Sequence, residues 1–275
     1  MIKRCLAIHD ISCVGKCSLT VALPIISAMG NECAVLPTAV LSTHTAGFKG
    51  YTFRDLTDEM PKIEEHWVRE GLKFDSIYTG YLGSFEQLKY VGDIIDSFPG
   101  AKVIIDPVMG DNGKLYTGFT EEFAAAMAKL CAKADVILPN FTEAAYMLGD
   151  MSVLEANDEQ SVKAVIMRLA ALGAKNVVLT GVHYDDKHLG VAAYNGETGE
   201  ITTYFRDKID VSMHGTGDVY ASTFTGAYMK GRSLEQAARA ATDFTVLCIE
   251  KTMPDIKEHW YSVEFEAAMH ELVNI

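Results

Sequence analysis

The chain has 275 residues, 49% hydrophobic and 22% charged, a balance that excludes a disordered or collagen-like polymer. Its formal net charge of -13 argues against a general binder of nucleic acid or anionic membrane, while leaving room for a local phosphate site. No run of 18 apolar residues occurs and Asp10 comes too early for a signal-peptide core, so a cytoplasmic protein that does not enter membranes is expected.

A chain of this length buries roughly three quarters of its unfolded surface, so its core needs no covalent staples. The six cysteines then read as reduced thiols, with Cys13 and Cys17 as small hydrophobes rather than half of a zinc site. Residues 4–9 form an apolar run and predict a strand. A helix over 18–29 follows, irregular at Pro24 and stopped by Gly30-Asn31, then a strand over 32–36. A helix is expected over 58–70 and a strand over 74–78, which runs into Thr79-Gly80-Tyr81. Ser84 caps a helix whose Leu88, Val91, Ile95 and Phe98 share one face. Strands at 102–105, 136–138 and 176–179 alternate with helices at 121–132 and 158–172. The pattern then changes. Residues 190–194 and 201–205 alternate about Asn195–Glu200, which signals a β-hairpin, and helical stretches follow near 217–230, 233–251 and 262–272. Strand–helix alternation predicts a mostly parallel sheet covered by helices, with the hairpin as antiparallel edge, in a single domain.

In such sheets ligands bind beyond the carboxyl ends of the strands. Four polar clusters fall there: Asp106–Asp111, Pro139–Glu143, Thr180-Gly181 and Thr79–Tyr81. The sharpest signal is His214-Gly215-Thr216-Gly217-Asp218 before a helical stretch. Two glycines let successive N–H groups point one way, and a helix N-terminus favours an anion there. An acid in the first helical turn is also ordinary capping. Asp218 would repel a phosphate if it served only to bind one; it fits better as a general base beside an anion hole. Asp106, Asp111 and Glu143 are acids of the type that holds magnesium beside nucleotide phosphates, although a strand stop and a helix start explain Asp106 and Glu143 equally well. Gly15-Lys16-Cys17-Ser18 only imitates the end of a P-loop, since Asp10 and Cys17 stand where that motif needs Gly and Ser or Thr. No G-x-G-x-x-G follows the first strand, and no H-E-x-x-H is present.

Together these motifs resemble the ribokinase-like superfamily and, within it, the pyridoxal (vitamin B6) kinases, over nearly the whole chain. Asp106–Asp111 with Gly113–Tyr116 is similar to the nucleotide and metal segment, Pro139–Glu143 to the asparagine–glutamate motif, and Gly215–Asp218 to the anion hole and catalytic aspartate. Thr43-His44-Thr45 and Thr79-Gly80-Tyr81 narrow the resemblance toward the B6 kinases. The resemblance implies a three-layer α/β sandwich and transfer of phosphate from ATP with Mg²⁺, and it leaves open assistance by a monovalent cation such as K⁺. It makes Asp218 the base toward the 5′-hydroxymethyl group, and Gly215, Thr216 and Gly217 the anion hole. Asp106, Asn140, Thr180 and Thr216 would meet ATP, and Asp106, Asp111 and Glu143 the metal. Asp10, Thr45 and Tyr81 would join Asp218 around the vitamer. A homodimer is implied, with a lid near 111–118. Asp10 departs from the family, which carries a serine there; a carboxylate could pair with a protonated ring nitrogen or amine, or mark a different pyridine or pyrimidine alcohol. Hydroxymethylpyrimidine kinase of thiamine synthesis is the alternative. A catalytically idle binding protein is disfavoured by the retained Asp218 and Gly215–Gly217.

Overall fold

The structure, a computed structural model, describes residues 2–275. Along the chain run β1 (Arg4–Ser12), α1 (Leu19–Ala28), β2 (Glu32–Leu41), β3 (Phe53–Asp55), α2 (Met60–Arg69), β4 (Ser76–Thr79), α3 (Phe85–Ser97) and β5 (Lys102–Ile105). The short pair β6 (Gly110–Asp111) and β7 (Lys114–Leu115) comes next, then α4 (Glu121–Cys131), β8 (Val136–Ile137), α5 (Phe141–Leu148) and α6 (Glu159–Ala170). The chain continues through β9 (Asn176–Val182), β10 (His188–Asn195), β11 (Ile201–Asp207), α7 (Thr216–Met229) and α8 (Leu234–Thr252). Nine strands form one sheet in the order β11-β10-β9-β8-β5-β4-β1-β2-β3. The pairs from β2 across to β9 are parallel; β10, β11 and β3 run antiparallel at the two edges.

The expected sandwich follows from the pleat. Leu6, Ile8, Ile77, Val103, Ile105, Ile137 and Val177 pack into one core layer with residues of α3 to α6. Their neighbours Cys5, Ala7, Tyr78, Ile104, Val136 and Val178 pack into the other, against α1, α7 and α8. Both faces are apolar because both are covered, which is why these strands read as continuous apolar runs. Each fully buried isoleucine, Ile77 or Ile105 for example, contributes about 1.5–3 kcal/mol.

Three local expectations change. The helix placed at 58–70 begins as a 3-10 turn over Thr57–Glu59 before α2. On α3 it is Ile94, not Ile95, that is fully buried. The expected helix at 262–272 is a run of 3-10 turns over Glu266–Asn274. Its first residues are tied to distant segments: Val263 N–H donates to the His214 carbonyl (3.1 Å) and Glu264 N–H to Thr252 Oγ1 (2.8 Å). Phe265, Ala268 and Leu272 are buried all the same.

Candidate active site

Register builds the site. Ile8, Thr79, Ile105 and Ile137 lie side by side in β1, β4, β5 and β8. The residues just beyond them therefore share one rim: Asp10, Gly80-Tyr81, Asp106, and Pro139-Asn140. Thr180 joins it through a bridge to Asn140 and an N–H bond to the Pro139 carbonyl (2.9 Å).

The Gly215–Asp218 turn opens α7. Gly215 is the N-cap at φ 83°, a left-handed conformation that glycine adopts freely, and a Cβ there would stand 2.6 Å from the Lys16 carbonyl oxygen. No side chain caps this helix, so its first N–H groups stay available, and Gly217 faces open space. That is the geometry of an anion cradle. Asp218 sits within the first turn, half-buried. Burial pushes its carboxyl up to about 7; the charge of Asp10 adds to the rise, while the Ser18 N–H and the Cys17 thiol draw it down. A carboxylate tuned to neutrality next to free N–H groups suits proton abstraction beside developing negative charge.

A second group of acids faces it. Asp106 is 7% exposed and Glu143 3% exposed. Burial, then the charges of Glu143 and Asp218, holds Asp106 well above the carboxylate range, and burial lifts Glu143 to about 8. Glu143 is fixed by a capping box at the start of α5: it accepts from Asn140 N–H (2.9 Å) and Met109 N–H (3.3 Å), while Asn140 Oδ1 accepts from Glu143 N–H. Asn140 Nδ2 also donates to the Gly110 carbonyl (2.9 Å), so its amide orders the rim from within. Among the described residues, neither Asp106 nor Glu143 is paired with a cationic side chain. Two buried acids without a counter-charge fit a hard divalent cation. Asp111 stands apart on the exposed loop, its carboxylate turned back to Asn112 N–H (2.7 Å). No group of three or more His, Cys, Asp or Glu among the described residues is arranged to hold a metal by itself. Phosphate oxygens and waters would have to complete the shell.

On the other side of Asp218, Asp10 is 4% exposed. It accepts from Ser18 Oγ (2.5 Å) and Ser12 Oγ (3.0 Å). Burial raises its pKa, and the two serine hydroxyls and His44 oppose the rise. Tyr81 lies within electrostatic reach of Asp10, and its ring packs 5.5 Å from Phe119. Thr45 is exposed on the loop after β2. That loop is anchored by its neighbour: His44 Nε2 bonds the Tyr261 carbonyl (2.6 Å) and His44 Nδ1 accepts from Ala46 N–H (3.1 Å), a neutral tautomer.

The expected lid at 111–118 contains a hairpin. Asn112 (φ 51°) and Gly113 (φ 75°) turn the chain between β6 and β7. Gly113 N–H is tied to Thr142 Oγ1 (2.9 Å) at the start of α5. The Asn-Gly pair is the strongest short-range hairpin signal, and it could have been read from the sequence. Sequence reasoning also missed Ser12 and Ser18, because hydroxyls in a loop carry no pattern. It set aside residues 15–18 as a false P-loop, yet Cys17 and Ser18 lie against Asp218.

Comparison with known proteins agrees with the fold. The model of the phosphomethylpyrimidine kinase family matches residues 22–262. A hydroxymethylpyrimidine/phosphomethylpyrimidine kinase of Bacillus subtilis is 30% identical over 219 residues, 78% of each chain. A solved Bacteroides thetaiotaomicron structure, an orthorhombic form with pyridoxal, is 39% identical, covers 99% of this chain and 96% of its own, and superposes with a TM-score of 0.92. The pyridoxal kinase of Lactobacillus plantarum is 30% identical over 100% and 98% of the two chains, with a TM-score of 0.91. This chain therefore belongs to the phosphomethylpyrimidine kinase family, and pyridoxal kinases are among the proteins it resembles.

Proposed function

We propose that the protein phosphorylates the 5′-hydroxymethyl group of a B6 vitamer (pyridoxal, pyridoxamine or pyridoxine) with ATP. The observation that carries this reading is the α7 N-terminus: uncapped N–H groups behind Gly215, and one turn in, a base with a pKa of about 7. Asp218 takes the proton of the hydroxymethyl group as its oxygen attacks the γ-phosphorus. The bond from that phosphorus to the ADP oxygen breaks, and the N–H groups of Gly215, Thr216 and Gly217 hold the charge on the transferring phosphoryl oxygens. Asp106 and Glu143, with Asp111 reaching through water, are the residues that would hold Mg²⁺. When bound, that ion would supply positive charge against the phosphates. Thr180 and the remaining amide N–H of Asn140 line the nucleotide side.

Asp10, Thr45 and Tyr81 form the vitamer side, with Asp10 facing a protonated ring nitrogen or amine. The hairpin around Asn112-Gly113 is the lid, part of one kinase unit that works as a cytoplasmic homodimer. Among the described residues no helix is long and apolar enough to cross a membrane. Likeness to a protein whose structure includes pyridoxal supports the vitamer reading. The Bacillus subtilis relative supports a second reading, hydroxymethylpyrimidine as acceptor, with the same base and anion hole. ATP consumption with Mg²⁺, scored as kcat/KM for the three vitamers and for hydroxymethylpyrimidine, tests both. A vitamer turned over well above the pyrimidine is the expected result. The reverse order moves the acceptor, and no turnover with any of the four overturns both readings.

A further inference from the structure

Ser18 is built against its local interests. As N-cap of α1 its hydroxyl would ordinarily accept from the helix's own N–H groups, but it makes no such cap bond. Its backbone sits at φ 57° and ψ -128°, a region that side chains rarely adopt. Outliers of this kind concentrate at functional sites, held there by surrounding contacts. The contacts are present. Ser18 is bridged to Ile11 of β1, which closes the loop between them. Lys16, itself at φ 45°, is tied by its Nζ to Glu266 (2.8 Å) and Glu264 (3.4 Å) of the C-terminal segment. The Lys16 carbonyl presses on Gly215, with Cys17 Sγ beside it. The hydroxyl placed by this strained loop donates to Asp10 Oδ1 at 2.5 Å, both groups buried.

We propose that Ser18 is a positioning residue that holds Asp10 for substrate recognition, on a loop whose main chain also abuts Gly215 at the start of α7. The inference rests on the reading of Asp10 as a vitamer contact. Loss of the hydroxyl leaves Asp10 held by Ser12 alone and weakens its grip on the vitamer. The loop's contact with Gly215 survives that change, and so does the nucleotide side.

Steady-state kinetics with pyridoxal and MgATP on D10N, S18A, S18G and the double variant D10N/S18A test this, with Tm recorded for each. Glycine relieves the left-handed backbone, so S18G keeps the test open if S18A folds poorly. Expected is a rise in pyridoxal KM of about tenfold for both Ser18 variants, the size of a hydrogen bond to a charged group. The KM for ATP should stay within about twofold, and kcat should fall by less than about threefold. In the double variant, removal of the hydroxyl should add less than about twofold to the effect of D10N, because Ser18 acts through Asp10. A D10N variant with unchanged pyridoxal KM would sink the reading of Asp10 itself. Were D10N impaired and both Ser18 variants normal, the role of Ser18 alone would fall. Losses that spread to ATP KM, or that multiply in the double variant, would reduce Ser18 to a structural residue and overturn the proposal.

Discussion

At the ends of β5 and β8, Asp106 and Glu143 are buried without a cation against them, and burial and mutual repulsion keep Asp106 well above the carboxylate range. At the end of β1, Asp10 is buried as deeply but already accepts from Ser12 and Ser18. Both regions hold acids in a low-dielectric rim, where an unsatisfied charge is costly. Asp106 leaves that cost standing, so a divalent cation and its phosphates would gain by removing it, whereas Glu143 already accepts from the Asn140 and Met109 N–H groups. At Asp10 the protein's own hydroxyls offset part of the cost, which fixes geometry in advance. Asp218 lies between them, with its pKa near 7 as the result of burial opposed by two donors.

The largest break of this contrast is removal of the divalent cation. Excess chelator should bring turnover to background, while pyridoxal binding measured without nucleotide should hold within about twofold. Full activity under chelation would refute the role of Asp106 and Glu143. Next comes the base. D218N should lower kcat by about 10²–10⁴-fold, with a much smaller change in vitamer affinity. Because the ionised carboxylate is the active form, kcat/KM of the wild type should fall about tenfold per pH unit below about 7, and should level off above it. A flat profile from pH 5 to 8 would remove Asp218 from that role.

The smallest effect sharpens the comparison through stability. A carboxyl whose pKa is raised on folding binds its proton more tightly in the folded state. Its charge therefore costs nothing below the unfolded pKa, and destabilises increasingly as pH rises toward the folded value. For the apo protein, D106N should raise Tm at pH 8 by a few degrees, at about 2–4 °C for each kcal/mol recovered. The gain should shrink as pH falls and vanish below about pH 3, where the wild-type acid is protonated in both states. At Asp10, where burial also raises the carboxyl but two hydroxyls oppose it, D10N should give a smaller gain, since it exchanges an acceptor of two hydroxyl bonds for one that satisfies them less well. Equal Tm shifts at both positions would erase the distinction between the two sides.

Much of this was legible in the residues. Strand ends at Asp106-Pro107 and Pro139-Asn140, the Ser84 cap and the late hairpin all stand in the sequence, because local stereochemistry and alternation write them there. Gly215–Asp218 was readable for the same reason: a turn that needs glycine and a helix that starts with an acid are local events. Other features were not local. Ile94 and Ile95 are both apolar, and only the packing of α3 chose between them. The stretch at 262–272 is pinned by bonds to His214 and Thr252 that no window of sequence contains.

The chain alone thus determined the layers, the strand ends that gather the polar clusters and the glycine turn that presents Asp218, since periodicity and turn chemistry act over a few residues. Tertiary structure decided what those groups are at neutral pH and which neighbours they have. The pKa of Asp218 depends on burial and on Ser18, 200 positions away in sequence. The quieting of Asp10 depends on a loop that Glu264, Glu266 and Gly215 hold in a strained shape. Burial and long-range contact come into being only when the sheet closes, so the charges that make the rim an active site are properties of the fold.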